Sequence, residues 1–166
     1  LPSAAKLPDD DDAIHAWIES GEVHVVAVGR IHLIPADSCG SCADTVDDNA
    51  AHCPDFPPLA NEGMKDAAGN SFPHPNTMRP AVQIRQMGTL TTHQRQGHAS
   101  TILDALEKAA IDCWGGCTGF LQARIEAIPF YQSQGWVCFD SEYMVEGIGL
   151  HCSMWKSLKD SQTGGE

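Results

Sequence analysis

Thr91-Thr92-His93-Gln94-Arg95-Gln96-Gly97-His98-Ala99-Ser100-Thr101-Ile102-Leu103 is the stretch whose reading decides the fold. Before it, from Ala81 to Thr91, Val82, Ile84, Gln86 and Gly88 alternate with Gln83, Arg85, Met87 and Thr89. The imperfect alternation is that expected of a central strand covered on both faces. After it, Ala99, Ile102, Leu103, Leu106, Ala109, Ala110 and Cys113 recur at spacings of three and four, the apolar stripe of a helix that Gly115-Gly116 stops. A helix starting near His98 exposes backbone N–H groups without intrahelical partners, together with the positive end of its dipole. Gly97 lets a ligand approach the backbone closely and Ala99 is too small to obstruct it. The turn therefore reads as an anion site of the kind that seats a pyrophosphate, with Arg95 placed to add a charge-assisted hydrogen bond. It is not a P-loop, because the Gly-Lys-Ser/Thr ending is missing, and it lacks the three glycines of a dinucleotide fingerprint.

Working outward, Ala13 to Glu19 reads as a strand, Ser20-Gly21 as a turn and Val23 to Ile34 as a longer strand closed by Pro35. Together they predict an antiparallel hairpin over residues 13–34. Residues 36–80, with recurring Pro, Gly, Asn, Asp and Ser and no apolar period, read as an irregular insertion. Downstream, Phe120 to Ile125 is expected as a strand and Ala127 to Gln134 as a short helix capped by Gly135. Trp136 to Phe139 and Leu150 to Trp155 are expected as further strands. The chain turns polar from Lys156, and residues 157–166 read as a frayed tail. The whole, residues 1–166, reads as one domain of α/β (α+β) class, its core at residues 81–156. Trp114, Trp136 and Trp155 are expected in that core.

Composition narrows the function. A length of 166 residues with 42% hydrophobic and 19% charged residues fits one globular core. No apolar run approaches the roughly 18 residues that span a bilayer, and no basic start with an apolar centre marks a secretory signal, so no membrane partner is expected. A formal charge of −12 argues against nucleic acid and favours cationic partners such as amines. Part of that charge is the run Asp9 to Asp12, which reads as a solvated segment. Seven cysteines without a scaffold-like spacing fit a reducing compartment, and a cytoplasmic location is expected.

Two motifs then carry a resemblance. Gln94-Arg95-Gln96-Gly97-His98-Ala99 resembles the (Gln/Arg)-x-x-Gly-x-(Gly/Ala) signature of the GNAT N-acetyltransferases. Further along, Ala127-Ile128-Pro129-Phe130-Tyr131-Gln132-Ser133-Gln134-Gly135-Trp136 resembles the family's Ala-x-x-Phe-Tyr-x-x-x-Gly-Phe motif, with Trp136 replacing the final Phe. The hairpin and Glu146-Gly147-Ile148-Gly149-Leu150-His151 resemble the ElaA-like and fungal branch. The similarity covers about residues 13–34 and 81–156 and leaves the insertion unexplained.

The resemblance implies a mixed, mostly antiparallel central sheet with a splayed strand pair and flanking helices. It implies acetyl-CoA as cosubstrate, its pantetheine amides on the strand backbone at Thr89, Leu90 and Thr91. Its pyrophosphate would rest on the loop Gln94, Arg95, Gln96, Gly97, His98, Ala99 and Ser100. A small-molecule amine or exposed amino group would attack the thioester directly, and Tyr131 matches the family acid. A phenol of pKa about 10 suits protonating a thiolate whose thiol sits near 8.5. The family's glutamate base on the strand before the loop has no counterpart, because residues 81–91 hold no carboxylate. Glu126, His93 and a water chain are the replacements, with His24, His32 and His151 further choices. The family's opening strand and two helices have no room in the twelve residues before the hairpin. They are expected to be missing here, or supplied by a homodimer or another chain.

Cys39-Gly40-Ser41-Cys42 has zinc-knuckle spacing, and His52-Cys53 and His74 follow. No second paired motif completes a tetrahedral set, so the reading is against zinc, with a local disulfide or free thiols as the other choices. Cys113-x-x-x-Cys117 reads as buried or incidental. Three functions stand against one another. They are an N-acetyltransferase, a catalytically lapsed CoA-binding or protein-interaction module, and a relative of the acyl-homoserine-lactone synthases.

Overall fold

Residues Ile14–Glu19 (β1) and Val25–Leu33 (β2) pair antiparallel, with Ile14 opposite Ile31 and Trp17 opposite Val28, as the hairpin reading predicts. A computed structural model describes residues 12–21, 24–34, 69, 71, 78–139, 142–145 and 147–160. The cysteine-bearing part of the insertion, with Cys39, Cys42, His52, Cys53 and His74, lies outside the described residues, as do Asp9 to Asp11 and residues 161–166.

Next come Ala81–Thr89 (β3), the helix His98–Trp114 (α1), Cys117–Arg124 (β4) and a short helix, Ile128–Ser133 (α2). Val137–Cys138 (β5), Tyr143–Val145 (β6) and Gly149–Leu158 (β7) complete the described elements. The sheet runs β1-β2-β3-β4-β7-β5, with β6 also pairing β7. Every described pairing is antiparallel except β3 with β4, so the fold is the mixed, mostly antiparallel α/β architecture expected.

Alternation decides what each face of the sheet does. Ala27 and Ile31 of β2, Val82 and Ile84 of β3, and Leu121 and Ala123 of β4 meet Ile102, Leu103, Leu106 and Ala110 of α1. Gly29 is required at the crossing, since a Cβ there would lie 2.5 Å from Met87 Sδ and 2.7 Å from Ile102 Cγ2. The opposite face buries Arg30, His32, Gln83, Thr118, His151 and Ser153 beside a second apolar cluster around Phe120, Phe139 and Trp155.

Three expectations need correction. Cys113 is exposed rather than part of the helix's buried stripe. The stripe drifts as 3.6 residues per turn require, and Ile111 and Trp114 pack against the core in its place. The polar stretch from Lys156 does not fray at once: β7 runs to Leu158, which is buried, and Lys156 pairs with Glu107 of α1 at 2.9 Å. Finally β3 ends at Thr89, and Thr91–His93 forms a 3-10 turn instead of extending the strand.

Candidate active site

The parallel ladder of β3 and β4 holds only three residue pairs, Ala81 with Thr118, Val82 with Gly119 and Gln83 with Phe120. Beyond Gln83, β3 stays paired to β2 and β4 stays paired to β7, and the two strands part. A bulge in β3 accompanies the parting: Val28 faces Gly88 and Arg30 faces Arg85, and Gln86 takes φ of +52°. An extra residue on one strand increases local twist and bends it away from a flat sheet. Leu90 N–H is already donated to Val26 O at 2.8 Å on the β2 side. By strand alternation the backbone groups of the flanking Thr89 face the opening instead.

A cleft of about 520 Å³ occupies the gap. Its β3 wall is Met87, Gly88 and Thr89, and its floor is His93, Gln94, Arg95, Gly97, His98, Ala99 and Ser100. Ala127, Phe130, Tyr131 and Gln134 form the far wall. Of the residues singled out by sequence, Leu90, Thr91, Gln96 and Glu126 are exposed and lie outside this lining. Met87, Gly88, Phe130 and Gln134 line it without having been singled out as site residues. Phe130 and Gln134 were inside the quoted motif, whereas Met87 and Gly88 had no local signal. Among the alternative bases, His93 lines the cleft, whereas His24, His32 and His151 do not.

The floor has the electrostatics of an anion seat. Arg95 and Gly97 adopt left-handed backbone, φ +62° and +80°, which folds the loop over the start of α1. No side chain caps that helix, and no acidic residue occupies its first turn, the place where carboxylates are ordinarily favoured. Thr101 N–H closes the first turn onto Gly97 O at 3.1 Å, and its hydroxyl bonds the same oxygen at 3.0 Å. The basic side chains at the floor are Arg95 and the imidazoles of His93 and His98, whose ring centres are 6.5 Å apart.

The far wall is held from behind. Glu107 of α1 accepts from Trp136 Nε1–H at 3.0 Å and from Lys156 Nζ at 2.9 and 3.2 Å. Lys156 also donates to Gln134 O at 2.8 Å, and Ser100 Oγ donates to Gln134 Oε1 at 3.4 Å. The end of α2 is thereby tied to α1 directly at Ser100 and, through Lys156, at Glu107. Burial pushes the Glu107 carboxyl above its ordinary value despite Lys156. Tyr131 packs edge-on to Phe130 and Trp136, and burial pushes its phenol up to about 12. It is therefore a protonated hydroxyl at any physiological pH, able to donate but not to act as a base. Among the described residues, no group of three or more His, Cys, Asp or Glu side chains is placed to hold a metal.

A sheet whose one described parallel junction parts to form a cleft, closed by an uncapped helix start, is the splayed-strand arrangement that the resemblance implied. The acetyltransferase (GNAT) domain family matches residues 76–158, half of the chain. The uncharacterized N-acetyltransferase YjcF of Bacillus subtilis is 38% identical over 76 residues, covering 45% of this chain and 52% of YjcF. The chain thus spans about half the length of that curated relative. Escherichia coli ElaA superposes with a TM-score of 0.54 at 14% identity over 87% of this chain and 68% of ElaA. Arabidopsis thaliana NAA60, solved with a bisubstrate analogue, superposes with a TM-score of 0.54 at 12% identity over 89% and 77%. This chain belongs to the GNAT family of acetyltransferase domains.

Proposed function

We propose that the chain transfers an acetyl group from acetyl-CoA to a primary amine by direct attack. The observation that carries the reading is the parting of β3 from β4 after Gln83, which opens a cleft onto the uncapped, acid-free start of α1. Acetyl-CoA supplies an activated thioester acyl group. The amides from Arg95 to Ser100 hold the pyrophosphate, and Arg95 neutralises part of its charge. Thr89 aligns the pantetheine through its cleft-facing backbone. The amine lone pair forms the C–N bond as the C–S bond breaks, the Tyr131 hydroxyl protonates the departing thiolate, and the proton lost by the ammonium returns through water to the Tyr131 oxygen.

One observation favours the second reading, a chemically lapsed CoA-binding module. Glu126, the nearest carboxylate in sequence to the cleft's far wall, is exposed and outside the lining, and β3 bears none. Two measurements separate the readings. Acetyl-CoA and desulfo-CoA should both raise Tm by mass action, and a panel of primary amines should release free CoA thiol. A Tm unmoved by either ligand rejects both readings, and a CoA-dependent shift without thiol release selects the lapsed module.

A further inference from the structure

Met87 stands where the β3 bulge puts it, at a place that strand alternation alone would deny it. Val82 and Ile84 face the α1 core, so an unbroken strand would turn residue 87 to the opposite side of the sheet. Between the pairs Val28–Gly88 and Arg30–Arg85, β3 carries one residue more than β2, and Gln86 takes the left-handed φ of +52°. The extra residue reverses the alternation and re-aims the next side chain. Met87 therefore lies on the α1 side, its Sδ 2.5 Å from the point that a Cβ on Gly29 would occupy. Ile102 Cγ2 and Leu106 Cδ1, at 2.7 and 3.1 Å from the same point, wall the notch over Gly29. The notch is full, and the half-buried Met87 that fills it also lines the cofactor cleft.

A full notch makes a soft side chain behave as a hard one. An unbranched thioether ordinarily adapts to its neighbours by rotating three bonds. Here retreat from the cleft is blocked by Gly29, Ile102 and Leu106, and close-packed interiors yield little. What reaches Met87 follows from the cofactor reading. A diphosphate at the start of α1 and a pantetheine along Thr89 direct the acyl end up β3 towards Gly88 and Met87, with Tyr131 on the far wall. We infer that Met87 is the acyl-length stop of the cleft, held out by the full notch at Gly29, and that the donor it admits is a short-chain acyl thioester, acetyl in preference to butyryl. Gly29, Met87 and the two α1 side chains belong to β2, β3 and α1, so the stop moves as one body with that wall. Met87 meets the acyl group itself, whereas Gly29 is a positioning residue that acts through it. This inference rests on the acetyltransferase reading above.

The test uses the full chain and calorimetric Kd values for desulfo-CoA, acetyl-CoA and butyryl-CoA. Wild type, Met87→Ala, Gly29→Ala and the double variant are compared, with a melt to verify folding. Met87→Ala removes the stop, and two more buried methylenes are worth about fourfold each. Its preference for butyryl- over acetyl-CoA should therefore rise about 10- to 20-fold relative to wild type, with desulfo-CoA Kd within about twofold. Gly29→Ala drives the thioether into the cleft and should lower that preference about three- to tenfold. The double variant, with no thioether left to drive, should return to the Met87→Ala preference, which a merely structural role for Gly29 would not produce. An unaltered preference in Met87→Ala overturns the inference, whether or not Gly29→Ala folds. So does an equal loss of all three ligands in Met87→Ala, or a lowered preference in Gly29→Ala that the double variant keeps. Wild type that binds none of the three overturns it together with the cofactor reading, whereas binding of all three with a preference unmoved by Met87→Ala overturns this inference alone.

Discussion

Gly97 and Tyr131 illustrate how differently single positions can be read. Gly97 sits at φ +80° with open space where a Cβ would project, so its role is conformational and leaves room for a ligand. Gly97→Glu combines left-handed strain with negative charge at the anion seat, and acetyl-CoA affinity is expected to fall at least about 100-fold by calorimetry. Tyr131→Phe keeps the ring packing against Phe130 and Trp136 and removes only the hydroxyl, so acetyl-CoA Kd should hold while kcat drops about 10²- to 10⁴-fold. With its phenol pushed up to about 12, Tyr131 remains an acid as pH rises, and wild-type kcat should show no descending limb from this group below about pH 11. An equal kcat in the Phe variant removes the acid role. Both residues were legible in the sequence because their motifs are local. Met87 and Gly88 were not, since their positions depend on where a strand pairing stops, which no local pattern records.

Among the elements, β6 and the end of β7 were the hard ones. Tyr143–Val145 is too short to display a period, and Lys156 looks like a tail residue until Glu107 of α1 is seen beside it. Lys156→Met should leave the Glu107 carboxylate half-buried with only Trp136 Nε1–H, costing about 1–3 kcal/mol in urea unfolding. Glu107 also predicts a pH dependence. Its carboxyl is raised by burial, so it holds its proton more tightly folded than unfolded. Its contribution to stability is therefore fullest below the ordinary carboxylate value and is lost as pH rises through its raised one. A Tm-versus-pH profile should flatten in that window in Glu107→Gln and steepen in Lys156→Met. At the α1–β2 crossing, Gly29→Ala meets Met87 and Ile102 head-on, and overpacking should lower stability by about 1–3 kcal/mol at unchanged m-value. The long helix and its strand were readable because an amphipathic stripe must face one core, and only its drift past Ala110 escaped.

For the whole molecule, the sequence carries a formal charge of −12, whereas the start of α1 is built for an anion. The general field should draw in cationic amines and resist CoA. Raising salt from 20 to 300 mM, about 20 to 6 Å in screening length, is expected to lower kcat/KM for 1,4-diaminobutane and raise acetyl-CoA affinity. Parallel salt responses would locate the effect in the protein rather than in its field. The sheet itself has the build of an open book. One leaf is β1, β2 and β3, the other is β4 bound by eight residue pairs to β7, and three pairs stitch them at Ala81, Val82 and Gln83. Such a binding edge gives before either leaf does. Bulkier guests can be admitted by turning the leaves through a few degrees with no repacking inside either, and amide exchange should run fastest along the stitching.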